Sequence, residues 1–147
     1  DNPDFDKDKY HPFETYSYNE SKKSWEEKKS GHVSTGKGVY VEKLFYDPDP
    51  RVGASDIAVH VTFAMQIENE KSTPKVLLFG YKNDKLEELS VNFMGPKIKS
   101  LGAYYPIDVD LYSTRKYSDF DSLMVLLESG NGLGWIKDAE CTFYKQD

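Results

Sequence analysis

Four aspartates late in the chain could do chemistry together. Asp108 and Asp110 alternate with apolar residues in Ile107-Asp108-Val109-Asp110-Leu111, and Asp119 and Asp121 follow shortly after. Ca²⁺ takes about 6–8 oxygen ligands, carboxylates among them. Folded so that these segments meet, with Asp47 and Asp49 arriving from another loop, the four would make an acidic tip for calcium. The plainer reading sets Asp108 and Asp110 on the solvated face of a strand.

C2 domains hold Ca²⁺ through aspartates at one end of a β-sandwich, but the spacing here is not theirs. Other chemical patterns fail on particular residues. Gly31-His32-Val33-Ser34-Thr35-Gly36-Lys37-Gly38 nearly spells a phosphate-binding loop, yet Gly38 stands where a Mg²⁺-holding hydroxyl belongs, and a strand rather than a helix follows. Asp4, Asp6 and Asp8 match the first ligands of an EF-hand, but Lys9 and Thr15 occupy the positions that need Gly and Glu. His11, His32 and His60 lack zinc-ligand spacing. No Gly-x-Ser-x-Gly occurs, and Cys141, beside Ala139 and Phe143, reads as a small core side chain rather than a nucleophile. The pattern is that of a protein without catalytic machinery or a bound cofactor.

The aromatic residues are the remaining signal. With 11 Tyr, 8 Phe and 2 Trp, not all can face a core. Exposed rings are what protein and carbohydrate partners pack on, and Tyr112, Tyr117 and Trp135 are the expected members of such a patch.

Charge narrows the partners. The sequence has 25 acidic and 19 basic residues, a net charge of −6 with His neutral. That field opposes nucleic acid and anionic membrane surfaces, and no apolar run approaches a membrane span. A lone cysteine forms no internal disulfide, which leaves the cytosol or the outside of a bacterium. A polar leader tips the expectation toward an extracellular or cell-surface protein, lipid-anchored upstream of residue 1, with the cytoplasm as the alternative.

The elements that position these residues follow from hydrophobic period. Residues 1–37 are polar and read as a partly ordered arm, in which Phe13 to Tyr18 can add an edge strand and Ser21 to Lys29 two helical turns carrying Trp25. From Gly38 the period is two. Strands are expected at Val39–Phe45, Ile57–Glu68, Val76–Tyr81, Leu86–Phe93, Tyr105–Tyr112, Leu123–Leu127 and Trp135–Tyr144. Asp47-Pro48-Asp49-Pro50 and Gly95-Pro96 break the chain between strands, and Ser129-Gly130-Asn131-Gly132 reads as a hairpin turn. The expectation is an all-β, seven-stranded antiparallel β-sandwich over residues 38–147, of Greek-key, immunoglobulin-like or C2-like type. Its expected role is a non-catalytic module that binds a protein ligand through sandwich loops or an exposed sheet face. The alternatives are a carbohydrate-binding module using exposed aromatics and an intracellular acidic inhibitor of immunity type.

Overall fold

The computed structural model describes residues 8–19, 24–27, 33–34, 41–48, 50–67, 75–93, 103–128 and 134–146. Among them are ten strands: β1 (Tyr10–Asn19), β2 (Ser24–Glu27), β3 (Val33–Ser34), β4 (Val41–Tyr46), β5 (Asp56–Ile67), β6 (Lys75–Lys82), β7 (Lys85–Phe93), β8 (Tyr105–Lys116), β9 (Ser122–Glu128) and β10 (Gly134–Gln146). A six-stranded sheet runs β3-β2-β1-β10-β5-β8 and a four-stranded sheet runs β4-β9-β6-β7. The pairings within both sheets are antiparallel.

The two sheets face each other because each strand puts alternate residues on one side. Ile57, Val59, Val61, Phe63 and Met65 of β5 share one core with Ile107, Val109 and Leu111 of β8 and with Phe143 of β10. From the other sheet come Leu44, Val76, Leu78, Leu123, Val125 and Leu127. Much of the aromatic content is spent at one end of this core. Tyr46 of β4 stacks on Phe143 of β10 with centroids 4.3 Å apart, which bridges the sheets. Phe13, Tyr16 and Tyr117 surround that pair edge-on or tilted.

All seven expected strands form, and the sandwich is larger than seven. β1 lies within the polar arm, but it is neither tether nor edge. It pairs with both β10 and β2, and Tyr16 is buried in the core. The segment carrying Trp25 is strand β2 rather than two helical turns. Isolated short helices are marginal in water, and i,i+4 charge pairs add only about 0.2–0.5 kcal/mol each. Tyr16–Asn19 of β1 supply backbone partners for all four residues of β2 instead. The expected hairpin at Ser129–Gly132 also does not join paired strands. It lies outside the described residues, but β9 and β10 belong to different sheets, so the connection crosses between them. The β6–β7 connection is a true hairpin, with Asn83 and Asp84 both at positive φ (51° and 61°), the backbone of a tight two-residue turn.

Gly80 shows how closely one corner is packed. It is buried on β6, and a Cβ there would lie 2.4–2.6 Å from three carbons of the Phe120 ring. Arg115 lies over the same ring, 4.8 Å from its centroid. Gly80→Ala is expected to cost about 1–3 kcal/mol through overpacking, seen as a lower urea midpoint at unchanged slope. Phe120→Leu in the same background should recover part of that loss.

Candidate functional site

The outer face of the six-stranded sheet is where polar and aromatic chemistry gathers. Its rows follow from the register. Pro12, Tyr144, Ala58 and Tyr112 sit opposite one another across β1, β10, β5 and β8. The next row is Thr15, Thr142, His60 and Asp110, and the next Ser17, Glu140, Thr62 and Asp108. Inner-face neighbours supply the core, so these strands read apolar inward and polar outward, as a half-solvated antiparallel sheet does.

Tyr10, Ala58, Tyr112 and Tyr144 form a small apolar cluster of their own on this face. The rings of Tyr10 and Tyr112 meet edge to face at 6.1 Å, and the Tyr10 hydroxyl donates to that of Tyr112 at 3.3 Å. Tyr112 in turn donates to Asp56 Oδ2 at 2.6 Å. This bond holds the Tyr112 phenol well above its usual range, with the Tyr10 hydroxyl and burial adding to the effect. Lys116 occupies the other oxygen of Asp56. The Asp56 backbone N–H donates to the Gln146 side chain at 2.8 Å, and Gln146 N–H donates to Ser55 Oγ at 2.8 Å. The row is therefore fixed before any ligand arrives.

His60 bridges two carboxylates. Its Nδ1 lies 2.6 Å from Asp110 Oδ1 and its Nε2 lies 3.1 Å from Asp108 Oδ1. The Nδ1 contact is a hydrogen bond with Asp110, and the Nε2 contact is a close approach to the Asp108 carboxylate. Asp110 is only 4% exposed, while the Asp108 side chain is 73% exposed. Asp110 is thus not the solvated residue its alternation suggests. It anchors the ring, and the ring orients Asp108 at the surface. Thr15 and Thr142 hydroxyls join at 3.1 Å beside them.

The four aspartates expected at a calcium tip are not brought together. Asp108 and Asp110 sit at opposite nitrogens of one imidazole, so their oxygens do not converge on a point. Asp119 Oδ2 accepts from Lys116 N–H at 2.9 Å and from Arg115 Nε at 3.3 Å, and the first of these bonds draws its carboxyl below the usual range. Asp121 accepts from the Asn83 N–H at 3.3 Å. No group of three or more His, Cys, Asp or Glu side chains able to hold a metal occurs among the described residues. Asp47 is described and exposed; Asp49 lies outside the described residues.

The expected aromatic patch divides. Tyr112 stands on the outer face. Tyr117 does not, being fully buried in the core. The reason is its position after β8, in a short 3₁₀ turn that rolls it inward beneath Phe13 and Tyr46. Trp135 pairs its backbone with Gln66 near the start of β10, and its side chain lies outside those described. Tyr10 and Tyr144 were not among the three residues expected in the patch. Tyr144 alternates with inward Phe143, which was the available signal; Tyr10 precedes Pro12 in a segment with no clear period. Cys141 is buried as expected, and burial pushes its thiol well up, away from nucleophilic use.

Tyr117 instead has a structural task. Its hydroxyl donates to the Tyr144 carbonyl at 2.6 Å and lies 3.3 Å from that of Ala58, tying β10 to β5 from below. Tyr117→Phe should lower stability by about 1–2 kcal/mol, because carbonyls are left without this donor. Thermal melting with calorimetry measures it; a loss below about 0.3 kcal/mol would mean the bond contributes nothing net.

No protein-family model matches the chain, and no curated protein matches it. A solved structure described as "CBM4 structure and function" is similar at a TM-score of 0.42 and 7% identity, over 94% of this chain and 78% of that one.

Proposed function

We propose that this protein is a non-catalytic carbohydrate-binding module of an exported or surface-attached protein, and that it binds through the outer face of its six-stranded sheet. One observation carries the reading. Tyr144 of β10 and Tyr112 of β8 stand half-buried on one face, backed by the buried Tyr10 of β1, and the Tyr10–Tyr112–Asp56 hydrogen-bond chain fixes Tyr112 in place. Sugars present apolar C–H faces that stack on rings and hydroxyls that need donors and acceptors at the ring's edge. Here Thr15, Thr142, His60 and Asp108 stand in the adjoining rows. Pre-fixed side chains reduce the ordering cost of binding. The absence of an enzyme's nucleophile–base pair from the sequence motifs, and the burial of Cys141, support a binding role rather than catalysis.

A second reading, a protein ligand, is favoured by the other outer face. On the four-stranded sheet Phe45 and Phe93 are 50% and 54% exposed, beside half-buried Phe79, Leu126 and Val91. Apolar patches of this kind mark interaction surfaces. No helix among the described residues is long and apolar enough to cross a membrane.

Affinity electrophoresis in gels containing soluble polysaccharides tests the first reading. The protein should be retarded by at least one polymer, and Tyr144→Ala and Tyr112→Ala should each weaken that binding about tenfold or more, equivalent to about 1.4 kcal/mol or more. Circular dichroism confirms that the variants are folded. Binding unaffected by both substitutions but abolished by Phe45→Ser with Phe93→Ser would transfer the site to the four-stranded sheet.

A further inference from the structure

We infer that the outer face of the four-stranded sheet is a dimer interface, on which a second copy of this chain packs face to face about a two-fold axis parallel to the strands. The inference rests on the second, protein-ligand reading of this face and names the partner. The carbohydrate reading concerns the opposite sheet and survives its failure.

The register sets the face out in three rows. Phe45 of β4, Met124 of β9 and Phe79 of β6 lie side by side, ending on Glu88 of β7. Leu126, Leu77 and Val91 make the next row, and Glu128, Lys75 and Phe93 the third. The middle of the face is closed by its own side chains. Leu77 and Met124 are 4% and 8% exposed, although neither belongs to the core between the sheets. Phe45 and Phe93 stand 50% and 54% exposed on the two edge strands. The third row carries an ion pair on the two central strands, Lys75 Nζ to Glu128 Oε1 at 3.2 Å.

The strand order β4-β9-β6-β7 makes this face self-complementary. A two-fold axis running along the strands between β9 and β6 lays β9 of one copy on β6 of the other, row on row. Sheets packed face to face keep their strands within about 30° of each other, so the rows stay matched. Met124 then meets Phe79 of the second copy, a sulfur on a ring, and Leu126 meets Leu77. In the third row Glu128 meets Lys75 and Lys75 meets Glu128, so the two ion pairs close into four alternating charges. An axis across the strands instead sets each ion pair against the Met124–Phe79 row of the other copy, where charge is desolvated without gaining a partner. A foreign protein would have to supply this order of charge and ring; a second copy carries it already. Four strands about 4.8 Å apart make a face roughly 20 Å wide, which belongs with weak, reversible interfaces rather than obligate ones. Pairing there leaves the six-stranded sheet of each copy outermost, with its tyrosines open to ligand.

The test is sedimentation velocity of the whole chain from about 5 µM to about 500 µM, at low and at physiological salt, with a melting curve for every variant. The expected result is a reversible monomer–dimer equilibrium. Phe45→Ser with Phe93→Ser should weaken it about tenfold or more. Lys75→Glu and Glu128→Lys should each weaken it about tenfold at low salt. An equimolar mixture of those two variants should associate as the unaltered protein does, because one then carries two acids and the other two bases at these positions. Sedimentation as a monomer across the range overturns the dimer and leaves the face for a foreign protein. A monomer whose retardation by a polysaccharide needs Phe45 and Phe93 overturns it in favour of a sugar site. A dimer that the serine pair leaves unchanged overturns the interface. Charge variants that associate like the unaltered protein, or that fail to recover on mixing, overturn the pairing along the strands and the proposal with it.

Discussion

The hydroxyl of Tyr117 reaches from the core to the strands on which the outer face is built. It bonds to the backbone of β10 at Tyr144 and lies beside that of β5 at Ala58, and these two strands are neighbours inside the six-stranded sheet. Ala58 and Tyr144 are two of the residues that carry the outer aromatic cluster. Register at this point decides which residues face out, because a slip of one position would turn every side chain of a strand to the other face. Burial pushes the Tyr117 phenol far above its ordinary value. A raised pKa means the neutral form is favoured by folding, so this contribution is complete below the unfolded value near 10 and is withdrawn only as pH rises through the higher folded one.

Above that anchor, two hydrogen-bonded systems organise the face. Asp56 gathers Lys116, Tyr112 and, through its backbone, Gln146. Asp110 holds His60, and His60 meets Asp108. Each places a nearly buried carboxylate under a more exposed polar group. A buried carboxylate is costly unless paired and hydrogen-bonded, and both of these are. Such an arrangement fixes side-chain orientation at the surface. The opposite outer face follows another rule. Leu77 and Met124 are buried there although they point away from the core between the sheets, and Phe45 and Phe93 flank them in the open.

Local period made the strands legible. Ile57 to Ile67 alternates without interruption, and β5 is observed from Asp56 to Ile67. Period says nothing about which strand lies beside which. His60 and Asp110 are far apart in sequence, and only the pairing of β5 with β8 makes them a couple. The same lack of pairing information turned the Ser129–Gly132 turn into an expected hairpin, and made Asp108, Asp110, Asp119 and Asp121 look like one acidic group. Tyr117 was misplaced for a local reason, since a 3₁₀ turn after a strand breaks the alternation that assigns faces. In the arm, Phe13 to Tyr18 was legible as a strand, but composition gave no sign that β1 would lie inside the sheet with Tyr16 and Phe13 packed on the core.

The proposed recognition surface is the outer face of the six-stranded sheet. Amide chemical-shift mapping of the labelled protein, titrated with soluble acidic and neutral oligosaccharides, tests it residue by residue. Shifts are expected to be confined to Tyr10, Thr15, Ala58, His60, Tyr112, Thr142, Tyr144 and the neighbouring Gln146. Shifts centred on Phe45, Phe79, Leu126 and Phe93, or no shifts with any sugar, would contradict it.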